Sequence, residues 1–318
     1  VRIGYASGVV GMLGLAYLRG WEPGTGLAGA LAYSEVSHYS LSVLPMFILI
    51  GYLAFFAGLT QGAFAAARAW FGWLPGGLAV ATVFATAGFA AVSGASTATA
   101  AVFSRVAIPE MLKYGYDKRL AAGVVAAGGT LASLIPPSAI LVIYAIIVEQ
   151  SVGALLLAGF IPGGISALVY AGVIVFRCKM WPQLGAPIRG TTWNERIRAT
   201  PGAFPIIIVV AIILGGIYSG WITPTETGAA GAAVIFLMAL MRKVRTGTGM
   251  TRDDLGEALM ETSKITVMIF TIIWGVLIYV RFLGFADLPG AFSDWITSLT
   301  MSPHCGDEVK YGVIDKMV

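Results

Sequence analysis

Apolar residues run through this chain in long blocks almost free of charge, instead of alternating with polar residues at a helical or strand period. Backbone groups in hydrocarbon must hydrogen-bond within their own segment, and about 20 apolar residues of helix span a bilayer core. The blocks therefore predict membrane-crossing helices, and seven fit: 3–18, 41–66, 120–148, 151–176, 203–220, 227–241 and 265–285. A further charge-free block, 69–104, is left over between Arg68 and Arg105. As helix it would be about 54 Å long at ~1.5 Å per residue, short of the ~60 Å that two crossings of a ~30 Å core require. It predicts a re-entrant helical hairpin whose ends lie on one side of the membrane. The tip would fall at Ser93-Gly94-Ala95-Ser96-Thr97-Ala98-Thr99. Backbone exposed at such a tip survives at membrane depth only inside protein or against a cavity. The competing structural reading is close packing of small residues between helices.

The block 120–148 carries its own interruption. Gly128-Gly129-Thr130 is followed by Ser133-Leu134-Ile135-Pro136-Pro137-Ser138, and two adjacent prolines offer no backbone donor. Pro136 forces Ile135 out of the helical region, so the carbonyls of Ala132 and Ser133 are expected to lose their helical partners. Broken helices offer carbonyls to cations and half-helix N-termini to anions at the midplane of secondary transporters. A merely kinked structural helix is the alternative.

Composition supports the membrane reading. Hydrophobic residues make up 58% and charged residues 11%, where soluble domains carry about 25% charged. Two cysteines and two histidines are too few for a disulfide scaffold or a His/Cys metal cluster. Neither H-E-x-x-H nor G-x-S-x-G occurs, and His38 and His304 lie outside the spans, so the chain reads as no enzyme. The cations are dispersed over loops, which excludes a nucleic-acid partner. With a cytoplasmic N-terminus, sixteen of the 20 Lys and Arg, from Arg2 to Lys264, fall on the cytoplasmic side. Arg19 and Arg281 fall outside, and Lys310 and Lys316 belong to the tail. That asymmetry sets the expected orientation.

Outside the spans, 187–201 and 251–264 predict interfacial amphipathic helices lying on lipid. Trp70, Trp73, Trp181, Trp221 and Trp295 would form aromatic belts at span ends. Glu226 is expected at a helix start capped by Thr225. His38 is read as a loop residue and Cys178 as a cytoplasmic thiol without a partner.

Several segments together resemble the large membrane (permease) subunit of tripartite ATP-independent periplasmic (TRAP) transporters, of the DctM type. They are Leu44-Pro45-Met46-Phe47-Ile48-Leu49-Ile50-Gly51, Gly76-Gly77-Leu78-Ala79, Ser93-Gly94-Ala95-Ser96, Ile108-Pro109-Glu110-Met111 with Gly115-Tyr116, Leu134-Ile135-Pro136-Pro137-Ser138, Ala158-Gly159 with Pro162-Gly163, and Thr223-Pro224-Thr225-Glu226. The resemblance implies an all-α polytopic membrane protein with an inverted-repeat, elevator-type, ion-transporter-like fold. It implies import of an organic anion, a C4-dicarboxylate, sialic acid or similar carboxylate. Sodium would be the coupling ion, with no other cofactor. The implied partners are a small membrane subunit and a periplasmic solute-binding protein, in the bacterial inner membrane.

By the same resemblance, Ser93, Gly94, Ser96 and Thr97 of the tip and Gly128, Gly129, Ser133, Ile135, Pro136, Pro137 and Ser138 of the break would frame a sodium site and border the substrate cavity. Their chemistry agrees, since hydroxyl and carbonyl oxygens suit a hard cation and neither segment holds a carboxylate. Ala95 stands where a hydroxyl residue is expected, so no side-chain contact is assigned to it.

The expected organisation is scaffold helices in 1–68, first hairpin and broken helix in 69–148, connecting and scaffold helices with an amphipathic loop in 149–250, the start of a second repeat in 251–300, and an atypical polar tail in 301–318. No second hairpin or Pro-Pro break follows 265–285, and from Pro303 the family character stops. The sequence thus reads as truncated within its second repeat, and the chain by itself is expected not to transport. A passive channel or scaffold membrane subunit is the alternative, because small-residue hairpins and kinked helices also line pores.

Overall fold

Glycines and capping residues decide where the helices of this chain begin and end. The computed structural model describes residues 3–36, 39–148, 150–188, 192–246 and 249–298, and among them every regular element is helical. Arg2, His38, Arg189 and the tail 301–318 with His304, Cys305, Lys310 and Lys316 lie outside the described residues. The chain divides into two compact units, Val1–His38 with Val267–Val318, and Tyr39–Thr266.

In the first unit, α1 (Ile3–Arg19) carries Gly4, Gly8, Gly11 and Gly14 toward the second half of a long helix, here α13 (Arg252–Phe285). A β-carbon on Gly4 would stand 2.7 Å from Ile272 Cα, on Gly8 3.3 Å from Gly275 Cα, and on Gly11 2.8 Å from Tyr279 Cα. Partners that advance in step with the glycines mean that the two helices run parallel. Small residues here let backbones touch, which is how helices associate where lipid removes the hydrophobic drive. The second helix, α2 (Trp21–Val36), packs on α1, and Trp274 Nε1 donates to the Ala28 carbonyl at 3.0 Å. Leu15, Ala28, Leu31 and Ile278 form the small core of this unit.

Helix α2 was absent from the spans expected from hydropathy, since Glu22 and Glu35 leave only 23–34 charge-free. A second difference lies in α13, which continues from the expected interfacial segment 251–264 straight into the expected span 265–285. It is about 51 Å long at ~1.5 Å per residue. Thr251 and Asp254 cap its start reciprocally, at 2.7 and 3.1 Å. Lys264, where the two expected segments meet, pairs with Glu261 one turn earlier at 2.7 Å. One short helix, α14 (Leu288–Ser298), follows.

The second unit begins with α3 (Val43–Phe56) and α4 (Leu59–Phe71), bent by 71° at Ala57-Gly58. The span expected at 41–66 is therefore two helices, because Gly58 at φ 74° leaves the helical region. Helices α5 (Gly77–Ser93) and α6 (Ser96–Lys113) form a hairpin, and Arg68 of α4 pairs with Glu110 of α6 at 2.6 Å. The hairpin starts later than the expected 69–104 and runs past Arg105, since α4 uses 69–71 and Pro109 is accommodated inside α6. Its legs of 17 and 18 residues reach about 26 Å each, short of a ~30 Å core.

Next come α7 (Lys118–Thr130), the break, α8 (Ala139–Ile147) and α9 (Val152–Met180). They are followed by α10 (Trp193–Ala199), α11 (Phe204–Ser219) and α12 (Pro224–Thr246). Helix α5 is the hub: it is buried along most of its length and touches α3, α4, α6, α7, α9 and α11. Among the described residues three single helices, within α9, α12 and α13, are long and apolar enough to cross a membrane, and the bent pairs α3–α4 and α10–α11 pass together. The chain is an all-α polytopic membrane protein.

Helix α10 opens on a capping box between Thr192 and Glu195, and Trp193 and Ile197 stay exposed on it. Helix α12 starts one residue after Thr223. Its backbone N–H donates to Glu226 at 2.8 Å, and its hydroxyl accepts from the Glu226 N–H at 3.3 Å. The cap is Thr223 and not the expected Thr225, because Pro224 is pre-set for the first helical position. Cys178 is a free cysteine. Its thiol is buried under the hairpin, where a β-carbon on Gly76 would meet Sγ at 2.6 Å.

At the open end of the hairpin, opposite its tip, the segment 181–188 that follows α9 is strapped across the start of α5. Gly76 N–H donates to Gly185 carbonyl at 3.2 Å, Ile188 N–H to Gly72 carbonyl at 2.8 Å, and Asp117 N–H to Leu184 carbonyl at 3.0 Å. Tyr116 locks it, its hydroxyl accepting from Leu78 N–H at 3.1 Å and donating to Ala186 carbonyl at 2.9 Å. Burial pushes its ionisation from 10.0 up to about 12. The neutral form is the one favoured by folding, so its contribution is complete below pH 10 and is lost as pH rises toward 12. Tyr116→Phe is expected to cost about 1–3 kcal/mol, chiefly by leaving the buried Leu78 N–H unpaired. The melting temperature of the variant should stay flat between pH 10 and 12 where that of the parent falls.

Candidate functional site: a hairpin tip against a broken helix

Two interruptions of helical backbone, far apart in sequence, meet inside the second unit. The first is the hairpin tip. Gly94 closes α5 at φ 60°, its N–H bonded to Ala90 carbonyl at 3.0 Å, and α6 restarts at Ser96 after an extended Ala95. Ser93 Oγ lies 2.8 Å from Thr99 Oγ1, which donates to the Ala95 carbonyl at 2.9 Å. Hydroxyls thus stitch the two legs together across the tip.

The second interruption follows α7. The chain makes a 3-10 turn at Leu131–Ser133, then runs irregularly through Leu134 to Ser138 with a cis Pro136-Pro137 bond before α8. Ser138 Oγ donates to the Ser133 carbonyl at 2.9 Å and accepts weakly from Leu141 N–H at 3.4 Å. The Ser133 carbonyl, which has no helical donor because residue 137 is proline, is satisfied instead by the side chain of a serine five residues on.

The meeting of the two is direct. Ala139 N–H, at the start of α8, donates to the Gly94 carbonyl at 3.0 Å. Gly94 also faces the Pro137 carbonyl so closely that a β-carbon there would overlap its oxygen. Glycines on the surrounding helices make the approach possible. Gly51 of α3 lets that helix close on Ser93, where a β-carbon would stand 2.7 Å from Ser93 Cβ. Gly159 and Gly163, one turn apart on α9, leave room for Leu134 and Ile135 of the break. Gly128 seats α7 on Thr86 of α5, and Gly129 seats it on Ser96 and Ala100 of α6.

Ser93, Gly94, Gly128, Gly129, Ile135, Pro136, Pro137 and Ser138 are all buried; Gly94 meets Pro137 and Ala139 directly, Gly129 reaches Ser96 at the start of α6, and Gly128 packs on Thr86 about two turns below the tip. Ser96 and Ser133 are half-buried, and Thr97 is exposed on the first turn of α6. The glycines at 128 and 129 act through the packing they allow, which the sequence alone left unassigned. Thr99, Gly51 and the Ala139 N–H were missed as parts of this arrangement. Thr99 stood in the hydroxyl-rich tip, and Gly51 closed the Leu44–Gly51 segment, but their pairing with Ser93 depends on a turn of unknown geometry. The tip 93–99 and the break 128–139 contain no ionisable side chain, so whatever they touch is met by neutral oxygens, backbone N–H groups and apolar surface.

A test of the stitch follows. Thr99→Val keeps the volume but leaves the buried Ser93 hydroxyl without its partner. The loss is expected to be about 1–3 kcal/mol in thermal unfolding, whereas Thr97→Val at the exposed neighbour should change stability by no more than about 0.5 kcal/mol.

Comparison with known proteins fits these features. A family model described as "Tripartite ATP-independent periplasmic transporter, DctM component" matches residues 2–305. The C4-dicarboxylate TRAP transporter large permease protein DctM of Pseudomonas aeruginosa is 34% identical over 297 residues, covering 92% of this chain and 68% of that protein. The protein of the same description from Vibrio cholerae is 34% identical over 298 residues, covering 87% of this chain and 64% of the relative. The sialic acid TRAP transporter large permease protein SiaM, also from Vibrio cholerae, is 30% identical over 280 residues, covering 88% and 64%. The chain thus spans about two thirds of the length of these relatives. With helices built to cross a membrane, a glycine-lined hairpin and a family match over nearly its whole length, this chain belongs to the DctM component family of tripartite ATP-independent periplasmic transporters.

Proposed function

We propose that the chain is the permease part of a sodium-coupled importer of organic carboxylates. The hairpin tip and the Pro-Pro break would bind sodium and border the path of the anion. The observation that carries this reading is the junction of the two interruptions, where Ala139 N–H meets the Gly94 carbonyl and Ser93, Thr99 and Ser138 supply buried hydroxyls. Neutral oxygens on non-helical backbone match the needs of a small hard cation, which takes carbonyl and hydroxyl oxygens readily. Sodium is here a co-transported substrate. When bound it would add positive charge beside the segments 93–99 and 128–139, which hold no arginine, and so favour a carboxylate there.

The inverted-repeat, elevator-type architecture belongs to the same proposal. The parallel course of α1 and the second half of α13 supports the charge-derived topology, in which both run from cytoplasm outward. A small membrane subunit and a periplasmic solute-binding protein are the proposed partners, and the bacterial inner membrane the proposed location, with the N-terminus cytoplasmic. The relatives are described for C4-dicarboxylate and sialic acid, and a compound of that carboxylate class is the proposed cargo.

Uptake by a full-length relative into which this segment is grafted, assembled with its small subunit and binding protein, tests the reading. Saturable accumulation of a C4-dicarboxylate or sialic acid, driven by an inward sodium gradient and not by potassium, is expected. Flux that rises linearly with concentration and ignores sodium would favour a passive pore.

A further inference from the structure

Apart from the junction, the second unit holds a cavity of about 640 Å³ between α7 and α9, floored by Val83 of α5. Residues 119 to 127 of α7 face residues 177 to 169 of α9 in antiparallel order, and Thr130 and Tyr170 hydroxyls lie 3.2 Å apart at the far end. The walls are almost wholly apolar: Leu120, Val124, Ala127, Val169, Val173 and Ile174. Gly123 opens the wall of α7, since a β-carbon there would find nothing within 4 Å. Charge is confined to one end, where Arg119 and Arg177 sit exposed. Among the described residues neither guanidinium has an ion pair. Asp117, the carboxylate in the lining, accepts from the N–H groups of Arg119 and Leu120 at 2.8 and 3.1 Å, so its charge is directed into the start of α7. Trp181, 45% exposed just past Arg177, marks that end as a membrane-interface level.

We propose that this groove is a binding site for an anionic phospholipid. One acyl chain would lie along the apolar walls, and the headgroup phosphate would sit between Arg119 and Arg177. The charge pattern selects the occupant. A guanidinium pair at the interface with an apolar trough below it complements a phosphate attached to a hydrocarbon chain. A free anion would gain nothing from the trough, and a zwitterionic lipid would bring an ammonium group toward two arginines. The volume falls in the ~300–1,000 Å³ range of small-ligand sites, suited to one chain and not to a whole lipid. This site stands apart from sodium and substrate, and depends only on the chain lying in a membrane.

The experiment is native mass spectrometry of the full chain purified in detergent, with equal additions of dioleoyl phosphatidylglycerol or dioleoyl phosphatidylcholine. The parent chain is expected to retain phosphatidylglycerol about fivefold more than phosphatidylcholine. Arg119→Gln with Arg177→Gln should remove that preference. Gly123→Leu, which fills the trough and keeps both arginines, should reduce retention of phosphatidylglycerol by a similar factor, so the test does not hang on one variant. Equal retention of the two lipids by the parent, or parent-like retention by both variants, overturns the proposal. Displacement of phosphatidylglycerol by millimolar inorganic phosphate would also overturn it, by showing an ion site without a lipid.

Discussion

Replacing Gly94 by valine is expected to destabilise the chain by about 3–5 kcal/mol, and with it to abolish saturable sodium binding by the purified chain. Two costs act together. Gly94 sits at φ 60°, where an L residue pays about 1–2 kcal/mol and a β-branched one is a severe outlier. The new β-carbon also points at the Pro137 carbonyl oxygen, which is backbone and cannot rotate away. The second cost is the informative one, because it separates tip from break. Gly115 provides the control: it has φ 76° and open space around it. Gly115→Val should therefore pay the conformational cost without a clash and keep the junction. Thermal unfolding of both variants in detergent measures the difference. Equal effects would mean that only backbone geometry matters at position 94.

The other large effect is expected on the face of α1. Gly11→Leu would drive a side chain into the Tyr279 backbone, whose N and Cα lie 2.8 Å from the β-carbon position. Neither helix can yield without losing its own hydrogen bonds, so α1 is expected to separate from α13 at a cost of about 2–4 kcal/mol. Gly14→Ala meets only the ring of Phe282, the movable end of a side chain, and should cost less than about 1 kcal/mol. Hydrogen exchange along α1 reads the result: strong loss of protection for Gly11→Leu, little for Gly14→Ala. Similar protection in both would show that the glycine stripe is not what holds the pair.

How far these elements were legible depended on whether their cause was local. Pro136-Pro137 announced the break because proline removes donors wherever it stands, and the hydroxyl cluster at 93–99 announced the tip because no charge interrupts it. The bend between α3 and α4 rests on the single Gly58, and one glycine in an apolar run is equally compatible with an unbroken helix. The segments 251–264 and 265–285 read as separate because charges crowd the first, yet the pairing of Lys264 with Glu261 keeps its charge on the surface of a continuing helix. The same limit applied to the Ser133 carbonyl. Its loss of a helical donor could be read from Pro137, but its rescue by Ser138 needed the turn itself.

The meeting of tip and break was the least legible part. Gly94 and Ala139 are joined by one hydrogen bond that neither periodicity nor charge predicts. In hindsight the trace of it lay in glycines on other helices, Gly51, Gly128, Gly129, Gly159 and Gly163, which share a place around the junction and not a spacing.

Equilibrium binding of radiolabelled sodium to the purified chain tests the central claim most directly. Binding is expected to be saturable, displaced by unlabelled sodium and not by potassium, and weakened about tenfold when Ser93→Ala and Ser138→Ala are combined in a chain that still unfolds cooperatively. Saturable sodium binding of unchanged strength in that variant would contradict it.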